Sequence, residues 1–317
     1  MKIVEIYKKA IENGIELDPR GREEVTKELE RTRKDFEELR EKEKRTFDME
    51  SLTNPYADTR MLYGEPGTEV ERVLVGIDIE VGEVLLADRL RERGSRIDLI
   101  IAHHPEGRAM AGLYEVMGMQ SDILTKYGIP INVAEDIMGD RIKEVERKLL
   151  PINHSRAVDA ARLLDIPLIC CHTPSDNAVV DYLQRLLDEK QPDRVSDIVD
   201  ILSEIPEYEA AAKEKAALRV VSGSKKRKTG KIFVDMTGGT GGSKKVFEKL
   251  SNAGVGTIVG MHIGEEHRKE AEKHHINVLI AGHIASDNLG MNLLLDRVLD
   301  GVEVIPCSGF RRFSRRG

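Results

Sequence analysis

Residues 71–104 read ERVLVGIDIEVGEVLLADRLRERGSRIDLIIAHH. The run 71–79 is short and rich in β-branched residues, which predicts a buried strand. "GEVLLADRLRER" then spaces its apolar residues as a helix does, and 97–102 is a second strand-like run. Further short apolar runs follow at 130–134, 166–171, 231–235, 256–261 and 276–281, and helical patterns such as HSRAVDAARLL and SKKVFEKLSNAG separate most of them. This alternation predicts an α/β fold with largely parallel, buried strands.

Working outward, residues 1–65 read as an N-terminal helical arm. Val25, Leu29, Thr32, Phe36 and Leu39 make a narrow apolar stripe on it, suited to pack on Ile3, Ile6, Tyr7 and Ile11 or on another subunit. Residues 66–190 form a first α/β half, 191–229 a helical linker ending in the basic SGSKKRKTGK, and 230–317 a second α/β half. The 317 residues are 40% hydrophobic and 33% charged, a globular balance. A net charge of -7 argues against general nucleic-acid binding, and no run is long and apolar enough to cross a membrane. The start lacks the apolar core of a signal peptide. With only three cysteines, Cys170, Cys171 and Cys307, this points to the reducing cytoplasm. The basic clusters KKRK (225–228) and RRFSRR (311–316) read as a solvated loop and tail.

Three of the apolar runs end alike. DLIIA gives way to His103 and His104, IPLICC to His172 with Asp176 four residues on, and NVLIAG to His283 with Asp287 four residues on. Open α/β sheets bind ligands beyond the carboxyl ends of their strands, so these side chains have a common place to meet. A helix beginning at 283 sets His283 and Asp287 one turn apart on one face. Adjacent residues in extended backbone point to opposite sides, so His103 and His104 suit two ions, or one ion and one outer contact. Imidazole and carboxylate together suit zinc, iron, manganese or cobalt. These donors cannot saturate two ions, and open positions are what catalytic sites keep. Histidines capping strand ends in a metal-free polar crevice give the same sequence pattern, and at this point both readings stand.

Taken in order, VLVGID with Asp78, DLIIAHHP, ICCHTPSD, VDMTGGTGGS and LIAGHIASD resemble the Nif-three-like (NGG-one-interacting factor three) family, known also as GTP cyclohydrolase I type 2 homologues. The resemblance covers 71–110 and 160–305, with a weaker echo in YADTRMLYGEPGTEVERVLVGID. It implies two divalent metal ions held by His103, His104, Asp176, His283 and Asp287, with His172 outside the ligand set and orienting it. It also implies a homo-oligomer, commonly a ring of dimers and hence a hexamer. This chain departs from the family pattern in carrying Asp287 for a glutamate, HTPSD for HTNLD and Glu106 for an apolar residue. Its N-terminal arm and the stretch 108–160 are longer than usual.

The function implied is a dinuclear-metal hydrolase, cyclohydrolase-like, acting on a small nucleotide-like or heterocyclic substrate in a metal-lined cleft shared by the halves. Candidate proton carriers are His172, Glu106 and Glu265. A metal-binding regulatory or scaffold protein without turnover and a metal-dependent phosphoesterase are the other readings. The glycine loop DMTGGTGGSKK lacks the spacing of a nucleotide-binding P-loop; it is either a tight strand-to-helix turn or an anion cradle.

Overall fold

The computed structural model describes residues 1–316 as two mixed, mostly parallel sheets and the helices around them. The first sheet contains β1 (Thr59–Tyr63), β2 (Arg72–Gly76), β3 (Leu99–Ala102) and β4 (Leu168–Cys171). The second contains β5 (Arg219–Ser222), β6 (Lys231–Asp235), β7 (Val255–Gly260) and β8 (Asn277–Ile280). A last strand, β9 (Glu303–Cys307), returns to the first sheet, giving the orders β1-β4-β3-β2-β9 and β5-β8-β7-β6. Only β1 and β5 run antiparallel to their neighbours. The expected α/β architecture with largely parallel strands is what the chain adopts.

Two helices lie between the sheets, and each leaves directly from a strand end. Thr173–Lys190 follows β4, and His283–Val298 follows β8. The first turns Val179, Val180, Leu183 and Leu187 toward the core under the second sheet. The second is apolar on opposite sides: Ala285 and Leu289 join that core, while Met291, Leu294, Leu295 and Val298 join the core under the first sheet. A helix buried all round is what a middle layer requires. The two helices cross at Gly290, where a β-carbon would stand 2.5 Å from the carbonyl oxygen of Ser175. Glycine is therefore dictated here by the approach of a neighbouring backbone.

Several sequence expectations are corrected. Residues 130–134 do not form a strand. They open the helix Ile131–Leu149, whose buried positions Ala134, Ile137, Met138 and Val145 keep helical spacing beyond the short apolar run. The basic SGSKKRKTGK joins β5 to β6 within the second sheet rather than linking two sheets, because Arg219–Ser222 is already a strand of that sheet. The RRFSRR cluster is partly exposed but is not a free tail. Arg315 pairs with the buried Glu207 at 2.6 Å, and Arg312 pairs with Asp296. In the arm, Val25 and Leu29 do pack on Tyr7, Ile11 and Ile15, while Ile3 and Ile6 enter the core of the first sheet instead.

Gly290→Ala forces a methyl group against a backbone oxygen that cannot yield without moving a helix. Overpacking of this kind costs about 1–3 kcal/mol. Denaturant unfolding should show that loss, and the same variant should bind divalent metal more weakly, because both helices root candidate ligands. A variant as stable as the parent would mean that the crossing is looser than described.

Candidate metal centre

The site is assembled from strand ends. The amides of His103 and His104 donate to the carbonyls of Gly76 and Ile77 at 3.0 and 2.9 Å, so pairing between β2 and β3 continues through both histidines. His103 is fully buried, whereas His104 turns toward the opening. The helix after β4 brings Asp176, and the helix after β8 brings His283 and Asp287. The chain thus converges five candidate ligands, together with His172, from three strand ends.

Asp287 stands at the centre. Its Oδ1 lies 3.4 Å from His103 Nε2, and its Oδ2 lies 3.4 Å from His104 Nε2 and 3.6 Å from His283 Nε2. Asp176 Oδ1 lies 3.6 Å from the same His103 nitrogen. Ligand atoms therefore gather as His103–Asp176–Asp287, as His104–His283–Asp287, and as His103–His104–His172, each set lying within 4.8 Å. His103 Nε2, Asp176 Oδ1 and both Asp287 carboxylate oxygens are buried without a hydrogen-bond partner. Buried polar atoms are normally satisfied, and leaving several together is costly. A divalent cation would satisfy all of them at once, so these buried His and Asp groups fit metal ions.

Carboxylates behind the histidines fix their orientation. His104 Nδ1 is 2.7 Å from the half-exposed Asp78, and His172 Nδ1 is 2.8 Å from the fully buried Asp58. Each pairing settles the tautomer that leaves Nε2 free to face the cluster, the usual arrangement behind metal-bound imidazoles. Thr173 Oγ1 also donates to Asp58 at 2.6 Å. Asp58 carries no mark in the sequence beyond the YADTR echo and was not among the expected site residues. It reaches the site because β1 pairs antiparallel with β4, Thr59 opposite Cys171.

Electrostatics follow from burial and charge. Burial pulls the His103 imidazole down to about 4. Burial also opposes protonation of His172, but Asp176 and Asp58 outweigh it and raise the imidazole. Asp176 moves up, chiefly through burial and then through the nearby Asp287. Burial would raise Asp287 too, yet the surrounding imidazoles of His103, His104 and His283 hold it well below the usual carboxylate range. The centre is arranged around one carboxylate kept ionised by three rings.

The proton-carrier candidates separate. Glu106 is half-buried after the two histidines, and burial together with Glu80 and Asp78 pushes its carboxyl up to about 7. Glu265 opens the exposed helix Glu265–Lys273 and pairs with Arg268 at 2.8 Å, which holds its carboxylate low. His262, just after β7, meets the His283 ring edge-on with centroids 5.1 Å apart, adding a fifth imidazole beside the cluster. The glycine loop packs as a turn. Gly238 and Thr240 carbonyls accept from Gln120, and the Gly241 carbonyl accepts from Arg141. A cleft of about 800 Å³ is lined by other residues and does not contain the candidate ligands.

Neither a protein-family model nor a curated protein sequence matches the chain. Among solved structures it is similar to a NIF3 superfamily protein from Sphaerobacter thermophilus, with 31% identity and a TM-score of 0.70 over 80% of this chain and 92% of that one. Reduced HcgD from Methanocaldococcus jannaschii is more distant, at 16% identity and a TM-score of 0.49 over 84% and 94% of the two chains. A Bacillus cereus protein related to NIF3 shows 12% identity and a TM-score of 0.43 over 78% and 89%.

Glu106 yields a pH test on metal-free protein. Its carboxyl rises from the ordinary 4.5 to about 7, so the fold prefers the protonated form. That stability is whole below the unfolded value and is lost as pH rises through the folded one. Allowing for solvent screening at this half-open position, the penalty at about pH 8 is on the order of 1 kcal/mol. Glu106→Gln should therefore gain that much in denaturant unfolding at high pH and nothing at about pH 4. Equal stability of the two proteins at both pH values would place the carboxyl in open solvent.

Proposed function

The chain is a member of the NIF3 superfamily, and on that premise we propose that it is a metal-dependent hydrolase with a two-ion centre. The observation that carries the reading is the division of Asp287 between two donor sets. One of its oxygens faces His103 beside Asp176, and the other faces His104 and His283. A carboxylate so placed suits a bridge, with His103 and Asp176 completing one position and His104 and His283 the other. Divalent ions bound there would supply Lewis acidity and lower the pKa of water toward neutrality.

The chain's own residues supply the rest. Asp58 and Asp78 hold His172 and His104 in the ligand-facing tautomer. Glu106, with its carboxyl near neutrality, is suited to carry a proton between the centre and solvent, and His172 is the second candidate. Glu265, neutralised by Arg268, is the weakest of the three. The substrate class is a small nucleotide-like or heterocyclic molecule, cleaved at a ring carbon or amide-like centre as in a cyclohydrolase reaction. The protein acts in the cytoplasm as a homo-oligomer, a hexamer in the form the family resemblance implies. A second reading, a metal-binding scaffold without turnover, is favoured by one observation: the large cleft lies away from the cluster.

Asp287→Ala should lose bound divalent metal by elemental analysis of the purified protein. In the parent, a chelator should remove the mass-action stabilisation, about 2.7 kcal/mol at a hundredfold excess of metal over its dissociation constant. For a chain of this length that is a fall of about 4 °C in melting temperature, and the variant should show almost none of it. Asp287→Glu should retain metal. Screened with metal against nucleotides, pterin precursors and phosphoesters, the parent should turn over a substrate that His103→Ala does not. Metal content unchanged in Asp287→Ala would remove the bridge from this reading, and absence of turnover with every metal would leave the scaffold.

A further inference from the structure

The large cleft has a shape that the metal centre does not explain. It is lined by nine consecutive residues, Thr229 through Thr237, which include the whole of β6. The five strand residues are the extended part, a run of roughly 17 Å, and Gly230 before them turns at φ +60. The cleft, about 800 Å³, is therefore a channel alongside this strand.

The channel also runs along a free hydrogen-bonding edge. β6 is the last strand of its sheet, paired only with β7. Its unpaired side is marked by Val234, whose amide donates to Gln184 Oε1 at 3.2 Å. By the alternation of strand backbone, Ile232 presents its N–H and C=O to the same side. The Tyr127 hydroxyl donates to the same Gln184 oxygen at 3.2 Å. A side-chain amide thus stands where the peptide group of another strand would be. Natural edges are usually blunted or covered, and this one is left with a channel beside it.

The walls give the charge of the occupant. Asp181 is paired with Arg185 at 2.8 Å, and Lys231 donates to the Tyr127 carbonyl at 3.2 Å. Asp235, at the end of β6, has no cationic partner among the described residues, and crowding by the surrounding protein pushes its carboxyl up to about 6 although it remains open to solvent. Asp188 and Glu16 add exposed carboxylates along the lining, so that three exposed carboxylates outside the Asp181–Arg185 pair stand against the two amines of Lys126 and Lys231.

We propose that the channel beside β6 binds an extended, basic peptide segment of a partner protein, which adds a strand to the edge and sets a lysine or arginine against Asp235. Main-chain hydrogen bonds to the edge supply affinity, and the carboxylates select charge. The Gln184 amide is the placeholder that the incoming peptide displaces. This site is separate from the metal centre and needs no metal.

The test uses the full-length protein and a fluorescent heptapeptide alternating valine and lysine, followed by anisotropy. Saturable binding is expected, with at least a tenfold loss in Asp235→Asn, the effect of one charge-assisted hydrogen bond. Replacing lysine by norleucine in the peptide tests the same pairing with the protein unaltered. Methylating one alternate set of peptide amides should abolish binding, whereas methylating the other set should be tolerated, because only one edge of the added strand pairs. Chelation should leave binding intact, which separates this result from any failure of the metal reading. No saturable binding, equal binding of a valine–glutamate peptide, or indifference to both methylation patterns would overturn the proposal.

Discussion

The crossing of two helices at Gly290 and Ser175 is the contact on which the rest of the structure depends. One helix carries Asp176 in its first turn, and the other carries His283 and Asp287 in its own. Each helix starts at the end of a strand in a different sheet, so their separation at the crossing sets how far apart the two sheets deliver their candidate ligands. Because a β-carbon at position 290 would stand 2.5 Å from a carbonyl oxygen, the approach is backbone against side-chain-free backbone. Carboxylates placed one turn from their strand ends then meet histidines from the first sheet with no loop to position them. Rigid elements, rather than mobile segments, define the geometry.

That rigidity is set against an electrostatic cost. A cluster that buries two carboxylates and the polar nitrogens of His103 without hydrogen bonds is destabilising in the absence of a cation. The surrounding structure must over-determine it. Asp58 does so from behind, accepting from Thr173 and pairing with His172. The C-terminal segment does so from the far side, where Asn288 and Asn292 bond the backbone of residues 309–313 and Arg315 reaches the buried Glu207. Asn288 adjoins Asp287, so the segment that holds the one also limits the motion of the other.

Much of this could be read from residue order because its causes are local. A strand end followed by His, and twice by Asp four residues on, encodes both position and facing, and the five candidate ligands do lie together. Asp58 escaped because nothing near it in sequence marks it. Its role arises from the pairing of β1 with β4, more than a hundred residues away, as the 114-residue separation from His172 shows. The arginines of RRFSRR looked like a solvated tail for the same reason, since Glu207 and Asp296 belong to other elements. Residues 130–134 misled in the opposite way. The short run with Ile131 and Val133 says strand, but the positions that follow extend a helical stripe to Val145. Likewise β5 and β9 are short and only half-buried, so they carry little of the apolar character that marks the central strands.

The return of β9 to the first sheet bears on how the chain is made. Arg72 on β2 pairs with Glu303 on β9, 231 residues later. At bacterial or eukaryotic elongation rates, about 5–20 residues per second, the edge of β2 waits roughly ten to fifty seconds on the ribosome for its partner. Throughout that interval the second sheet can form while the first remains one strand short. The helix bearing His283 and Asp287 emerges just before β9, so the ligand cluster is completed and the open edge is closed in nearly the same moment of synthesis. A nascent chain arrested before residue 303 would therefore present an unpaired β2 edge to other chains, and the cell's chaperones would meet it in that form.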